Sequence, residues 1–287
     1  MVKRVITGAI FAVVLIAGVL LQGWFLRLLL LFAMLMSVSE MYRAFRKNGS
    51  DPVRWAGYLF CLLAVVAQTL SAKLNHPVLN EISPPVLALT VSLIAAMCRI
   101  ISKGKVAFDS MVMTVFPMLY PGLLFALMLS LQDLDSRFVS TLALALAFFA
   151  ASVNDVFALL IGVKFGKHRL SPEISPKKSI EGSIAGLVAS TLFAVALPAA
   201  FNAAANMFPA LNPTGAVLPP LWTFAVLGFV AGALSQVGDL VASLVKRHCG
   251  VKDFGTIFPG HGGMMDRMDG VLFCSAACFL FFRLAGL

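Results

Sequence analysis

The sequence is short of charge, and of acidic residues in particular. Only 12% of its 287 residues are charged, and 13 Asp and Glu stand against 22 Lys and Arg. Soluble domains carry about 25% charged residues, whereas 60% of this chain is hydrophobic, so the composition excludes a soluble enzyme and a disordered protein. Five cysteines without a CxxC pair exclude a disulfide scaffold and are expected to be free thiols. No small-residue cleavage site follows the first apolar run, so we expect no signal peptide.

Long apolar runs are what the sequence has instead. A membrane-spanning helix needs about 20 mostly apolar residues, and nine runs approach or exceed that length, of which the second is short enough to be re-entrant. They cover roughly residues 5–22, 24–40, 55–72, 84–101, 110–131, 138–162, 183–203, 221–244 and 269–285. The predicted fold class is all-α: a polytopic integral membrane protein in a single domain, 1–287. Helices of unassigned role occupy 1–137, and the catalytic helices occupy 138–287.

The distribution of basic residues predicts the orientation. A formal charge of +9 would suggest nucleic acid in a soluble protein. Here, nine alternating spans that start from a cytoplasmic N-terminus put eighteen of the 22 Lys and Arg on the cytoplasmic side, as the positive-inside rule requires. The positive net charge is therefore explained by the orientation of the chain in the membrane. We expect no nucleic-acid partner, anionic membrane lipids at the cytoplasmic face, and a C-terminus on the opposite side.

Asp155 and Asp239 each lie well inside a predicted span. Asp155 comes late in the sixth span and Asp239 late in the eighth, and ionisable groups at membrane depth usually face a bundle interior or a water-filled cavity. On the eighth helix, Ser235, Asp239, Ser243 and Lys246 follow one another at spacings that place them on one face. This polar stripe predicts the wall of a hydrophilic cavity open to the cytoplasm. A polar seam between two helices is the alternative.

The cytoplasmic loop 245–268 combines cations, carboxylates and glycines. Asp266 and Asp269 lie three residues apart and share a face at the start of the ninth helix. Carboxylates beside Lys and Arg are the groups that Mg²⁺-assisted phosphoryl chemistry uses. His261 has no second His or Cys at ligand spacing, so zinc is not expected.

The other long cytoplasmic loop, 163–182, has a similar character. A Ser175-Pro176 turn is expected to place Lys177 and Lys178 immediately before a helix, where both cations can pair with phosphate. A loop that is basic only because it is cytoplasmic is the alternative.

These residues resemble a known family, the CDP-diacylglycerol synthases (phosphatidate cytidylyltransferases). The signature of that family is matched here by Ser243, Lys246, Arg247, Lys252, Asp253, Gly255, Phe258, Pro259, His261, Gly262, Gly263, Asp266, Arg267 and Asp269. A second block of the family resembles residues 152–186. Leu159 departs from it where many members carry Tyr, and Ser179-Ile180 replaces the more usual Thr-Trp, which bears on contacts with the nucleotide base.

The resemblance implies a reaction in phospholipid biosynthesis: CTP and phosphatidate give CDP-diacylglycerol and pyrophosphate. It implies dependence on Mg²⁺, with or without a second cation, and a homodimer in the bacterial inner (plasma) membrane whose active site faces the cytoplasm. It also implies roles for site residues. Asp239 and Asp266 would bind the metal, and Asp269 would be a ligand or the partner of one. Phosphates would be held by Lys177, Lys178, Lys246, Arg247, Lys252, His261 and Arg267.

The chemistry of the substrates adds a geometric prediction. CTP arrives from water, whereas the acyl chains of phosphatidate must stay in the leaflet, because each exposed CH₂ group costs about 0.8 kcal/mol. We therefore predict a funnel that opens both to the cytoplasm and sideways to the bilayer. Its predicted lining is Asp155, Asp239, Ser243, Lys246, Asp266 and Asp269, and its predicted mouth carries Lys177, Lys178, Arg247 and Lys252.

Other functions stay open at this point. A CTP-dependent polyprenol or dolichol kinase would have a similar membrane site. A transporter would also contain buried carboxylates, although it would usually show related halves. A CDP-alcohol phosphotransferase is disfavoured, because its D-G-x-x-A-R…D-x-x-x-D pattern is absent from the sequence.

Overall fold

The computed structural model describes residues 2–74, 83–102, 108–258, 260 and 262–287, with only the backbone described for 2–7. Its main elements are ten α-helices and one two-stranded hairpin. The helices are α1 Val2–Leu21, α2 Gly23–Lys47, α3 Arg54–Leu74, α4 Pro84–Ser102, α5 Phe108–Pro117, α6 Leu124–Ser130, α7 Arg137–Phe165, α8 Ile180–Met207, α9 Leu221–His248 and α10 Met265–Leu284. The strands are β1 Arg169–Ser171 and β2 Ser175–Ser179. The prediction of an all-α polytopic membrane protein is confirmed. The hairpin was not predicted from the sequence.

Every predicted apolar run falls on a helix or a helical series. Within the described residues, seven of these are long and apolar enough to cross a membrane, and the described part of α1 (Gly8–Leu21) is a shorter apolar helix. The short second run lies in a helix of 25 residues, α2, which is among the seven. Helix α10 coincides with the ninth run but contains Asp266, Arg267, Asp269 and Arg283. The structure thus supports a polytopic protein, while the count of nine spans and the cytoplasmic N-terminus stay predictions.

The segment Phe108–Asp133 has the length of a span but is not a regular helix. A π-helical turn, Met118–Leu123, separates α5 from α6, and the backbone of Tyr120 is not helical. Pro117 and Pro121 flank and enter this turn. Proline has no N–H to donate to the preceding turn, which explains why the regular hydrogen-bond ladder stops here.

The chain divides into two compact units. The N-terminal unit comprises Met1–Ser130 with Val245–Met268, and the C-terminal unit comprises Leu131–Leu244 with Asp269–Leu287. The chain passes from one unit to the other after Ser130, back again within α9, and once more within α10. The predicted cytoplasmic loop 245–268 therefore groups with the N-terminal helices, whose role the sequence had left unassigned.

Small residues set the spacing of helices in the C-terminal unit. A Cβ added at Gly186 of α8 would lie 2.6 Å from Asn154 Oδ1 of α7, and one added at Gly228 of α9 would lie 2.5 Å from Ala194 Cβ of α8. Between α9 and α10, a Cβ at Gly238 would lie 2.5 Å from the carbonyl oxygen of Asp269. Small residues let membrane helices approach closely and associate by packing. These contacts hold α7, α8, α9 and α10 in successive pairs.

In the N-terminal unit, one threonine links three segments. The hydroxyl of Tyr42 in α2 donates to the carbonyl oxygen of Thr114 in α5 at 2.8 Å. The hydroxyl of Thr114 in turn accepts from the backbone N–H of Val53 at 2.8 Å. Tyr42 is completely buried, so its hydroxyl needs such a partner. All five cysteines are free, as expected.

Candidate functional site

The β-hairpin places the two lysines that the sequence had singled out. Strands β1 and β2 pair antiparallel, with Arg169 opposite Ser179 and Ser171 opposite Ser175. Lys177 and Lys178 therefore lie on a strand that runs directly into α8, rather than after a turn at Ser175-Pro176. Ser179 caps α8, since its hydroxyl accepts from Gly182 N–H at 3.2 Å. Both lysines thus end next to the N-terminus of α8, an end that favours anions.

A carboxylate at the start of α8 ties down the other end of the hairpin. Glu181 accepts from the backbone N–H of Lys167 at 3.1 Å and of His168 at 3.2 Å. Its Oε1 also lies 2.7 Å from Nδ1 of His168. The chain entering β1 and the first turn of α8 are therefore held together, which fixes the position of the hairpin against that helix.

A cavity of about 260 Å³ lies beside this hairpin, within the C-terminal unit. Helices α7 and α9, the first turns of α8, and the hairpin enclose it. We call it the polar pocket. Its polar lining is Asn154, Asp155, Lys177, Lys178, Ser179, Ser183, Gln236 and Asp239, and its other lining residues are Ala158, Leu159, Gly162, Val163 and Leu170. Two lysines and two carboxylates in one cavity give it the polar, charged lining that a charged ligand requires.

A three-helix hydrogen-bond network forms the floor of the polar pocket. Gln236 of α9 donates through Nε2 to Asn154 Oδ1 of α7 at 3.0 Å and to the carbonyl oxygen of Ser183 of α8 at 2.9 Å. The Ser183 hydroxyl donates back to Gln236 Oε1. Asn154 is fully buried and also donates to Asp155 Oδ1 at 3.3 Å. Satisfied buried polar networks give a site a defined geometry.

An ion pair spans the polar pocket. Lys178 Nζ lies 2.6 Å from Asp239 Oδ2, and the two side chains are 26% and 31% exposed. The second oxygen of Asp239 accepts a long hydrogen bond of 3.4 Å from Ser243, one helical turn further along α9. This carboxylate is solvent-accessible and is held mainly by one lysine, which is itself partly exposed, so a ligand that binds the lysine can release it.

A second ion pair lies in the N-terminal unit and differs in its surroundings. Lys246 Nζ, at the end of α9, lies 2.8 Å from Asp266 Oδ1, in the first turn of α10. Asp266 Oδ2 accepts from the backbone N–H of Phe254 at 2.8 Å and of Gly263 at 2.9 Å. The ammonium group of Lys246 also lies 5.5 Å from the ring centroid of Phe254. Asp266 thereby closes the loop that leads into α10, and only 4% of its side chain is exposed.

A carboxylate from α2 contacts the same loop. Glu40 is completely buried and accepts from the backbone N–H of Met264 at 3.1 Å and of Met265 at 2.9 Å. Gly255 and Gly263 lie against its carboxylate so closely that a Cβ at either position would collide with it. We call Phe254, Gly255 and residues 262–266, together with Glu40 and Lys246, the signature loop cluster.

Seven of the predicted site residues fall into these two regions. The polar pocket contains Asp155, Lys177, Lys178 and Asp239, with Ser243 next to Asp239. The signature loop cluster contains Lys246 and Asp266. Arg247, Lys252 and Arg267 are exposed, and Asp269 is buried in α10 with its carbonyl oxygen against Gly238. His261 lies outside the described residues. Ser235, which shared the predicted stripe, is buried against Gly270 of α10 and does not line the polar pocket.

The donors for a metal are carboxylates in both regions. Among the described residues, no three His, Cys, Asp or Glu side chains are grouped as a metal cage would require. Mg²⁺ is usually bound by one or two carboxylates together with water and substrate phosphates, and the open carboxylate of Asp239 fits that mode. Asp266 has one oxygen committed to two N–H groups, and its other oxygen is paired with Lys246. That the two aspartates bind the same ion stays a prediction.

Sequence reasoning missed Glu40 and Gln236 as parts of the site. Gln236 lies three residues before Asp239, so helical spacing could have assigned it to the same face. Glu40 had a weaker signal: an acidic residue near the end of a predicted span, 224 positions from the backbone group that it binds. No local pattern relates residues so far apart.

Comparison with known proteins identifies relatives along the whole chain. A family model described as "Cytidylyltransferase family" matches residues 2–285. A phosphatidate cytidylyltransferase of Bacillus subtilis is 31% identical over 99% of this chain and 98% of its own length. One of Mycobacterium leprae is 45% identical over 43% of this chain, a match that covers 35% of that longer protein. The chloroplastic phosphatidate cytidylyltransferase 5 of Arabidopsis thaliana is 27% identical over 93% of this chain and 68% of its own.

Proposed function

Because the chain belongs to the cytidylyltransferase family, we propose that it is a phosphatidate cytidylyltransferase, which converts CTP and phosphatidate to CDP-diacylglycerol and pyrophosphate. The single observation that supports this most strongly is the polar pocket, where Lys177 and Lys178 stand beside Asp239 in a membrane protein with a full-length relative of that name. A phosphate oxygen of phosphatidate attacks the α-phosphorus of CTP. The bond from that phosphorus to the β-phosphate oxygen breaks, and pyrophosphate leaves.

The reaction brings two highly charged anions together. Their repulsion is larger in a partly enclosed, low-dielectric site than in water, and cations placed before the reaction begins offset it at no cost of reorganisation. Lys177 and Lys178 provide two such cations at the N-terminus of α8. Lys178 is bound to Asp239 in the structure, so we propose that it transfers from this carboxylate to a substrate phosphate.

We propose that Mg²⁺ binds at Asp239, with Asp266 as the second protein ligand. When bound, the ion neutralises charge on the phosphates and orients them for in-line transfer. Release of Lys178 frees Asp239 Oδ2 at the moment a phosphate takes the lysine, which links substrate binding to ligand availability. Lys246, Arg247, Lys252 and Arg267 are proposed to hold phosphates of CTP or of the lipid.

The polar pocket has an apolar rim that suits a lipid substrate. Leu159 and Val163 of α7 line the cavity and are also 65% and 80% exposed. We propose that this exposed apolar edge is the lateral opening to the bilayer. The head group can then reach Lys177 and Lys178 while the acyl chains stay in the leaflet, where they lose no hydrophobic stabilisation.

A direct assay tests the proposed reaction. Detergent-solubilised protein is incubated with labelled CTP, phosphatidate and Mg²⁺, and we expect CDP-diacylglycerol and pyrophosphate in equal amounts. Formation of CDP and a phosphorylated polyprenol in a parallel reaction that contains polyprenol, with no liponucleotide formed from phosphatidate, would instead identify a CTP-dependent lipid kinase and reject the proposal. Protein with Lys178→Ala, and wild-type protein without phosphatidate, serve as controls.

The location is tested separately. We propose that the protein lies in the inner (plasma) membrane of a bacterium with the polar pocket facing the cytoplasm, as the charge asymmetry of the sequence predicts. A reporter fused after Leu287 should then be active only outside the cytoplasm. Activity only in the cytoplasm would reject the nine-span count. The proposed homodimer is tested by the mass of the detergent-solubilised complex in light scattering.

A further inference from the structure

Glu40 is a buried carboxylate. It is far in sequence from the residues of the proposed reaction, yet it contacts the loop that carries them. It lies in α2 with none of its surface exposed. Each oxygen accepts one backbone N–H: Oε1 from Met264 and Oε2 from Met265. Met265 is the first residue of α10, and the first N–H groups of a helix have no partner within the helix. Glu40 therefore caps α10 from another helix.

The carboxylates of Glu40 and Asp266 together accept hydrogen bonds from three consecutive backbone N–H groups. Asp266 accepts from Gly263, and Glu40 accepts from the next two residues, Met264 and Met265. Asp266 itself is the second residue of α10. The direction in which its carboxylate leaves the helix is thus set by the turn that Glu40 holds.

Two glycines make room for this arrangement. A Cβ at Gly255 or Gly263 would fall within the contact distance of Glu40 oxygens, and all the nearest atoms at both positions belong to Glu40. The backbone at Gly263 does not have the positive φ that only glycine favours. The glycine at 263 is therefore required by the close approach of Glu40 rather than by backbone conformation.

From these contacts we propose that Glu40 is a positioning residue for the active site: it holds the 263–265 turn so that Asp266 and Lys246 keep their geometry. The inference rests on the proposed function for the role of Asp266, while the contact of Glu40 with the turn is independent of it. It also gives the N-terminal helices a part in the chemistry.

The first test measures the turn itself and needs no activity. Hydrogen exchange of the peptide that contains Met264 and Met265 is followed in the full-length protein in detergent. We expect exchange in Glu40→Ala to be at least about tenfold faster than in wild type. Lys47→Ala, at the exposed end of the same helix, should leave it unchanged. If this peptide exchanges at the same rate in Glu40→Ala as in wild type, the proposal is overturned.

The second test uses the chemistry of the side chain. Glu40→Asp keeps two accepting oxygens, whereas the amide nitrogen of Glu40→Gln cannot accept a hydrogen bond. We expect Glu40→Asp to retain more turnover than Glu40→Gln, which should lose about 10- to 100-fold, as loss of residues that orient a metal ligand does. The Mg²⁺ concentration for half-maximal activity should rise, a change that a smaller active fraction would not produce. Wild-type activity in the Glu40→Gln variant would overturn the proposal.

The third test exploits the tight packing. Gly263→Ala should lower activity as much as Glu40→Gln, because its methyl group displaces the carboxylate. In the Glu40→Ala background the same change should have little further effect, since the colliding atoms are gone. Additive losses would overturn the proposal. Failure of wild-type protein in the liponucleotide assay would reject the proposed function alone, because the exchange measurement would still decide the contact.

Discussion

The two Lys–Asp pairs of this protein are alike in chemistry and different in surroundings. Lys178 and Asp239 in the polar pocket lie 2.6 Å apart, and Lys246 and Asp266 in the signature loop cluster lie 2.8 Å apart. The first carboxylate is 31% exposed, whereas the second is 4% exposed and also binds two backbone N–H groups. One pair can exchange partners, and the other is part of the folded framework.

This difference separates binding from positioning. A partly exposed ion pair contributes about 0–1 kcal/mol to stability, so it can open at little cost when the proposed phosphate ligand arrives. A buried pair that loses one partner leaves an uncompensated charge, which costs about 3–5 kcal/mol. Two Lys–Asp pairs of the same chemistry can therefore have different roles, one in binding and one in positioning.

The largest expected effect comes from removing each carboxylate charge. Asp239→Asn and Asp266→Asn should each lower turnover by at least about a hundredfold, the scale of losing one charge-stabilising group at a reacting centre. Only Asp266→Asn should also lower the thermal unfolding temperature, because only Asp266 holds the loop. Liponucleotide formation and unfolding in detergent measure the two effects. Full activity in either variant would remove the proposed metal site.

Removing the lysines sharpens the comparison. Lys246→Ala should destabilise the protein by about 3–5 kcal/mol, since it strands the buried carboxylate of Asp266. Lys178→Ala should change stability by less than about 1 kcal/mol and should act on the KM for substrate instead. Thermal unfolding and steady-state kinetics of the two variants provide the measurement. Equal destabilisation by both would contradict the distinction between an exchangeable and a structural pair.

The floor of the polar pocket is tested through Gln236. Gln236→Ala leaves Asn154 and Ser183 without their shared partner, and a buried group left without its hydrogen bond costs about 1–3 kcal/mol. We expect a loss of unfolding free energy in that range. Thr223→Ala is the control on the same helix, because its hydroxyl bonds only within its own turn. No difference between the two variants would mean that the network does not stabilise the pocket.

The smallest expected effect concerns the apolar rim. Leu159→Trp should narrow the lateral opening and raise the KM for phosphatidate about three- to tenfold, equivalent to roughly 1 kcal/mol, with the KM for CTP unchanged. Leu160→Trp places the same bulk on the next residue, which is exposed but does not line the pocket. A higher KM for CTP alone in Leu159→Trp would argue that nucleotide, and not lipid, passes this rim.

The sequence was most informative where the rule is local. Apolar runs predicted the helices, because a helix in lipid must satisfy its own backbone and expose apolar side chains. The second run, 24–40, predicted a helix that is too short. The apolar pattern ends at the charged residues Glu40, Arg43, Arg46 and Lys47, whereas α2 continues to Lys47. The hairpin before α8 was missed because three- and five-residue strands leave little periodic signal.

The sequence by itself determined that this is a helical membrane protein, that its signature residues are those of the cytidylyltransferases, and that lysines and carboxylates meet in its site. Only the tertiary structure decided their partners: Lys178 with Asp239, Lys246 with Asp266, and Glu40 with the turn before Asp266. The physical reason is distance. Helical spacing relates residues within a few turns, whereas these pairs are joined by helix packing, which depends on shapes and small residues spread over the whole chain.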